Sequence, residues 1–155
     1  MKTRLLLLLC TLLHLVACSQ SRYLSTLPTG ADVNRLFIGP AMMKVAGNID
    51  TGDKIGNQLM KEVKSIEIYN CENAKLVESA AQAFDKVLQE SKAEELVYNE
   101  DDSDVNKILL IPSADNPEAG TLIVYNLEKK SEVNIVVLNG KIDMAKLASM
   151  IGKQQ

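Results

Sequence analysis

The chain has 155 residues, 46% of them hydrophobic and 24% charged, and a formal net charge of −3. It holds three cysteines, one histidine (His14) and no tryptophan, which leaves His-dependent triads, Cys–His pairs and the common zinc sites almost nothing to draw on. The acidic balance and the lack of a basic stripe argue against a nucleic-acid partner and against a polybasic contact with anionic lipid.

The N-terminus carries the clearest signal. Lys2 and Arg4 precede Leu5–Ala17, a 13-residue stretch that is apolar apart from Thr11 and His14. A spanning helix needs roughly 20 apolar residues, and leucine on every face does not suit an amphipathic core helix. The pattern is that of a secretory signal peptide. It ends in Leu15-Val16-Ala17-Cys18: an aliphatic residue, a variable one, a small one and a cysteine, the lipobox of bacterial lipoproteins. The expectation is a removed signal over residues 1–17 and lipidation at Cys18, with diacylglycerol on the thiol and an acyl chain on the amine. Each buried CH₂ contributes about 0.8 kcal/mol, so two or three chains anchor a protein to a bilayer essentially permanently. Ser19 follows the cysteine where an aspartate would signal inner-membrane retention, and Ser19–Tyr23 has no acidic cluster of the surface-directing kind. Both point to the outer membrane, facing the periplasm.

Cleavage also changes the chemistry of what remains. Cys10 and His14 depart and Cys18 is acylated, so Cys71 is the one free thiol and no internal disulfide can form. Lys2 and Arg4 depart too, leaving 15 basic against 20 acidic side chains and a net charge of −5.

Residues 18–31 read as the lipidated N-terminus and a flexible tether, and 32–155 as one α+β domain. Val33–Ile38 reads as a strand, closed by Gly39-Pro40, and Ala41–Ala46 as a short helix with Pro40 at its first position. Asn48–Gln58 is rich in turn-formers and reads as a loop. Val63–Tyr69 alternates apolar and polar residues, the period of a half-buried strand. Asn70–Lys92 reads as a helix capped by Asn70, with Leu76, Ala80, Ala83, Phe84, Val87 and Leu88 on its apolar face. Lys75, Gln82, Asp85, Lys86, Gln89 and Glu90 are its solvent set. Strands follow at Glu95–Asn99, Val105–Ile111, Thr121–Asn126 and Glu132–Leu138, separated by the acidic turn 100–104, a longer turn over Pro112–Gly120 and the turn Leu127–Ser131. A last helix, capped by Asp143, would bury Met144, Leu147, Ala148 and Ile151. Short turns between successive strands imply antiparallel hairpins. The fold class is therefore α+β: a mainly antiparallel sheet of five or six strands with helices packed on one face.

Leu122–Tyr125, Val133–Asn139 and the Gly140-Lys141-Ile142-Asp143 turn resemble the closing strands of the family of domain of unknown function 4252. Leu36–Met43 is similar to that family's strand-to-helix entry, and Ile66-Glu67-Ile68 followed by a cysteine and a long helix also fits. The resemblance spans most of residues 32–152. It implies a small Gram-negative lipoprotein with no assigned activity and no catalytic residue to transfer. It also implies a gene setting near extracytoplasmic-function sigma factors.

Candidate chemistry is thin. Cys71, placed at a helix start, could favour a thiolate, but the commoner use of such a residue is to fill a junction. The acidic turn Asp101-Asp102-Ser103-Asp104 lacks the glycine and distal glutamate of an EF-hand and reads as a solvated hairpin tip. Lys129-Lys130 reads as an exposed turn, Met42 and Met43 as packing residues, and Gly140–Asp143 as a strand exit rather than a phosphate loop. The resulting expectation is a membrane-anchored envelope lipoprotein without catalytic residues, metal or cofactor, acting as a binding or interaction module for an envelope protein. The alternatives are a regulatory component of envelope signalling linked to an extracytoplasmic-function sigma factor, and a hydrolase using carboxylates alone.

Overall fold

A computed structural model describes residues 23–46, 54–114, 116–129 and 131–143, together with Ala145 and Ala148. The segment read as a signal peptide, Cys18 and nearly all of the expected last helix lie outside the described residues. Asp143 Oδ1 accepts from the Ala145 N–H at 2.8 Å.

Six strands form one antiparallel sheet: β1 (Val33–Ile38), β2 (Val63–Cys71), β3 (Glu94–Glu100), β4 (Asp104–Ser113), β5 (Asn116–Glu128) and β6 (Glu132–Asp143). Their spatial order is β1-β2-β6-β5-β4-β3. The hairpins β3–β4 and β5–β6 are the short-turn pairs expected from the sequence, and β4 pairs β5 antiparallel where a longer turn was expected. β2 closes the sheet by pairing β1 on one side and β6 on the other. Three helices complete the body: α1 (Pro40–Ala46), α2 (Lys54–Glu62) and α3 (Val77–Glu90).

The α+β architecture stands, but the helices divide between the two faces of the sheet. One face carries Tyr69 and Cys71 of β2, Val133, Ile135 and Val137 of β6, Ile123 and Tyr125 of β5, and Val105 and Leu109 of β4. Val77, Ala80 and Phe84 of α3 pack there, and the Phe84 ring stacks on Tyr125 with centroids 5.6 Å apart and planes 11° apart. The expected apolar set of α3 is turned inward and its solvent set is exposed. Alternation along the strands puts Ile66, Leu138, Leu122 and Ile108 on the other face, where Met43 of α1 and Leu59 and Met60 of α2 cover one end.

Helix α2 falls in the segment read as a loop. Gly56 and Asn57 are poor helix-interior residues, yet Leu59 and Met60 gain a tertiary contact that outweighs local propensity. Helix α3 begins later than expected. Asn70 does not cap it, because β2 runs on through Asn70 and Cys71 in register with both β1 and β6. Asn73 takes over the turn: its carbonyl accepts from the Leu76 and Val77 N–H groups, and its Oδ1 from Lys75 N–H. The turn expected over Pro112–Gly120 is mostly strand, with Ser113 opposite Asn116 and register shifts beside Pro112 and Gly120. A Cβ on Gly120 would lie 2.0 Å from the Ile111 carbonyl oxygen, an approach only glycine permits.

The segment expected to be the distal part of a tether is docked. Leu24 and Leu27 are 2% and 4% exposed and belong to the α3-face core. The Arg35 guanidinium donates to the carbonyls of Leu27 and Pro28 and lies 5.4 Å from the centre of the Tyr69 ring, whose hydroxyl donates to Pro28 at 3.0 Å. Asn73 Nδ2 donates to the Ala31 carbonyl. The packed body therefore begins by residue 23.

Candidate functional site

The helix-poor half of the sheet's second face is the most distinctive surface of the molecule. Strand register arranges it in rows running across all six strands. The first row is aliphatic: Leu36, Ile68, Val136, Val124, Ile108 and Val97. No described helix lies over it, and Leu36, Val124 and Val97 are 52%, 41% and 38% exposed. Two residues further along every strand lies a row made entirely of asparagine: Asn34, Asn70, Asn134, Asn126, Asn106 and Asn99, each directly opposite the next. Beyond it come three carboxylates on neighbouring strands, Glu132, Glu128 and Asp104.

The amides interlock only in part. Asn70 Nδ2 donates to Asn134 Oδ1 at 2.7 Å and to Glu132 Oε1 at 2.9 Å, Asn134 Nδ2 donates to the same Glu132 oxygen, and Asn126 Nδ2 donates to Asn106 Oδ1. Asn70 Oδ1 is buried without a partner, and the edge residues Asn34 and Asn99 are exposed. The surface thus grades from aliphatic through amide to anionic over three rows about 7 Å apart. Chemically it can bury an apolar stripe, exchange hydrogen bonds with polar groups and attract positive charge.

The other candidates have local explanations. Cys71 ends β2 rather than starting a helix; it is fully buried and its Sγ lies 3.8 Å from the Asn73 carbonyl, so it fills the core. At the acidic turn, Asp101 Oδ1 accepts from the Ser103 N–H and hydroxyl and from the Asp104 N–H, and these bonds hold its carboxyl below the ordinary range. Lys129 forms a 2.8 Å ion pair with Glu100 and, with Tyr98, holds the Glu100 carboxyl low as well. Both shifts run opposite to what a general acid requires. Among the described residues no group of three or more His, Cys, Asp or Glu side chains is placed to hold a metal ion.

Glu67 is buried on the α3 face and accepts from Asn139 Nδ2 at 2.9 Å. A cleft of about 410 Å³ between α1, α2 and β2 has Met43, Met60 and Val63 in its wall and Lys44, Lys61 and Lys64 around it. Lys44 and Lys61 occupy the last turns of their helices, where a cation complements the carbonyl ends without any ligand. Among the described residues no helix is long and apolar enough to cross a membrane.

Sequence reasoning placed the strands that carry the graded surface but did not see the surface. Its signal was one asparagine at an equivalent point of each strand, which becomes a row only once the register is known.

The fold is an α+β body built on one six-stranded antiparallel sheet, with a graded open surface on the half of one face that no described helix covers. The chain belongs to the family of domain of unknown function DUF4252, whose model matches residues 29–150. No curated protein and no solved structure gave a match.

Proposed function

We propose that this protein is a lipid-anchored envelope lipoprotein that works by binding, with the open half of the sheet as its contact surface. The observation that carries this reading is the aliphatic row, continuous over six paired strands, exposed at Leu36, Val124 and Val97 and bordered by amides. A continuous exposed apolar patch with a polar border is the usual mark of an interaction site. The lipobox at Cys18 supplies the address, the periplasmic face of the outer membrane. Because residues 23–31 are packed on the body, only residues 18–22 separate the lipid from it. Five residues reach at most about 18 Å, so the body is held against the bilayer and meets partners that are themselves close to it.

Labelled palmitate and membrane fractionation test the anchor. The wild-type chain is expected to take up label and sediment with outer membranes, and Cys18→Ala to lose both. A wild-type chain that takes up no label contradicts the lipoprotein reading. The contact surface is tested by placing a photo-reactive side chain at Val124 or at Asp85 on α3. Adducts in the intact envelope are expected from position 124 and not from 85, and the reverse pattern contradicts the assignment.

A further inference from the structure

Resting on that reading, we infer that the occupant of the open face is a cationic amphipathic helix of a partner protein. The aliphatic row offers Leu36, Val124 and Val97 to solvent, with Ile68, Val136 and Ile108 half-buried between them. Six strands at roughly 4.8 Å spacing make the face about 24 Å wide, the length of a helix of about 16 residues. A helix is roughly 10–12 Å across with its side chains. One that buries an apolar stripe on the aliphatic row therefore overhangs the asparagine row about 7 Å away. Polar side chains on that flank meet the exposed Asn34 and Asn99 amides.

Charge selects the sign of the partner. Glu132 and Glu128 are directly opposite each other, as are Glu128 and Asp104. Adjacent like charges are mutually destabilising. Among the described residues Glu128 and Asp104 have no cation, since Lys129 is committed to Glu100. Lysine or arginine side chains reaching over the amides relieve that repulsion.

Other occupants fit less well. Two copies related by a two-fold axis along the strands bring carboxylate row onto carboxylate row; an axis across the strands that superimposes the aliphatic rows turns each amide row toward the helix-covered end of the other copy. An anionic bilayer is repelled by the same carboxylates. Addition of a strand at the β3 edge meets Glu94, Glu95 and Glu100 and a register shift between Glu95 and Val97, devices that keep edges unpaired.

The test uses the mature chain with Cys18→Ala and three labelled synthetic 16-residue peptides. One is a Leu/Lys amphipathic helix, one replaces its Lys with Glu, and one replaces its Leu with Ser. Saturable one-to-one binding of the Leu/Lys peptide, with a gain of helical signal, is expected, and binding at least tenfold weaker for the other two. Val124→Arg is expected to weaken Leu/Lys binding at least tenfold, Glu128→Lys severalfold, and Asp85→Lys on the opposite face not at all. Absence of Leu/Lys binding, equal loss from Glu128→Lys and Asp85→Lys, or indifference to Val124→Arg overturns the inference. So does a dimer in sedimentation that Val124→Arg dissolves, which would make a second copy the occupant. Failure of the peptide while position 124 still cross-links in the envelope rejects the helix and leaves the contact surface standing.

Discussion

Leu27→Ala is the substitution that best separates a docked N-terminal segment from a loose one. Leu27 is 4% exposed in the α3-face core, and its carbonyl and that of Pro28 are held by Arg35 and Tyr69. Burying a leucine side chain is worth about 1.5–3 kcal/mol, and truncation adds a cavity term, which together put the loss at about 2–4 kcal/mol. For a body of about 120 residues the unfolding entropy is near 0.25 kcal/mol/K, so a loss of about 3 kcal/mol lowers the melting temperature by roughly 12 °C. Urea and thermal unfolding of the mature Cys18→Ala chain, followed by circular dichroism, read this directly, and the urea slope should stay unchanged. Leu36→Ala is the control: Leu36 is 52% exposed, and its truncation should cost less than about 1 kcal/mol. Equal, small shifts for both variants would refute the docking of residues 23–31.

Phe84→Ala should cost about 3–5 kcal/mol, because the ring is fully buried and stacked on Tyr125; a loss under about 1 kcal/mol in urea unfolding would mean that α3 is held by other contacts. Burial pushes the Tyr69 and Tyr125 hydroxyls up to about 12 from 10.0. A pKa raised in the folded state gives stability that is complete below pH 10 and is lost as pH rises through 12. Phenolate absorbance should therefore show both tyrosines ionising only as the protein unfolds, and early ionisation of all four tyrosines near pH 10 would contradict their burial. At the hairpin tip the Glu100 and Asp101 carboxyls are held low, so the order they provide is present above the ordinary carboxylate range and fades as pH falls through their own values. NMR titration of Lys129→Ala should return Glu100 toward the ordinary value while leaving Asp101, held mainly by backbone donors, close to where it was.

The strands were legible because runs of β-branched and aliphatic residues stand between turn-formers. Glu132–Leu138 and Thr121–Asn126 read as strands from the sequence and lie inside β6 and β5. Helix α3 showed its buried face in the helical spacing of Ala80, Phe84 and Val87. What failed was local chemistry overruled by distant contacts. Asn70 has the side chain of a helix cap, but its backbone is claimed by two neighbouring strands. Gly56 and Asn57 announce a loop, but Leu59 and Met60 reach a core that the local sequence does not show. Leu24 and Leu27 are two apolar residues in a polar stretch, too few for a periodic pattern, and only the α3 face gives them a place. The graded face was hidden more deeply, since its rows join residues up to 100 positions apart in the chain, such as Asn34 and Asn134.

On the proposed reading the row through Val124 is covered in the envelope and open in the isolated protein. The chain suits a thiol-labelling measurement, because Cys71 is buried and the proposed acylation would consume the Cys18 thiol. Val124→Cys and Asp85→Cys each add a single accessible thiol, on opposite faces of the body. Both are expected to react quickly in the purified protein, and Val124→Cys to slow at least tenfold in intact envelopes while Asp85→Cys does not. Equal labelling of Val124→Cys in the two settings would contradict it.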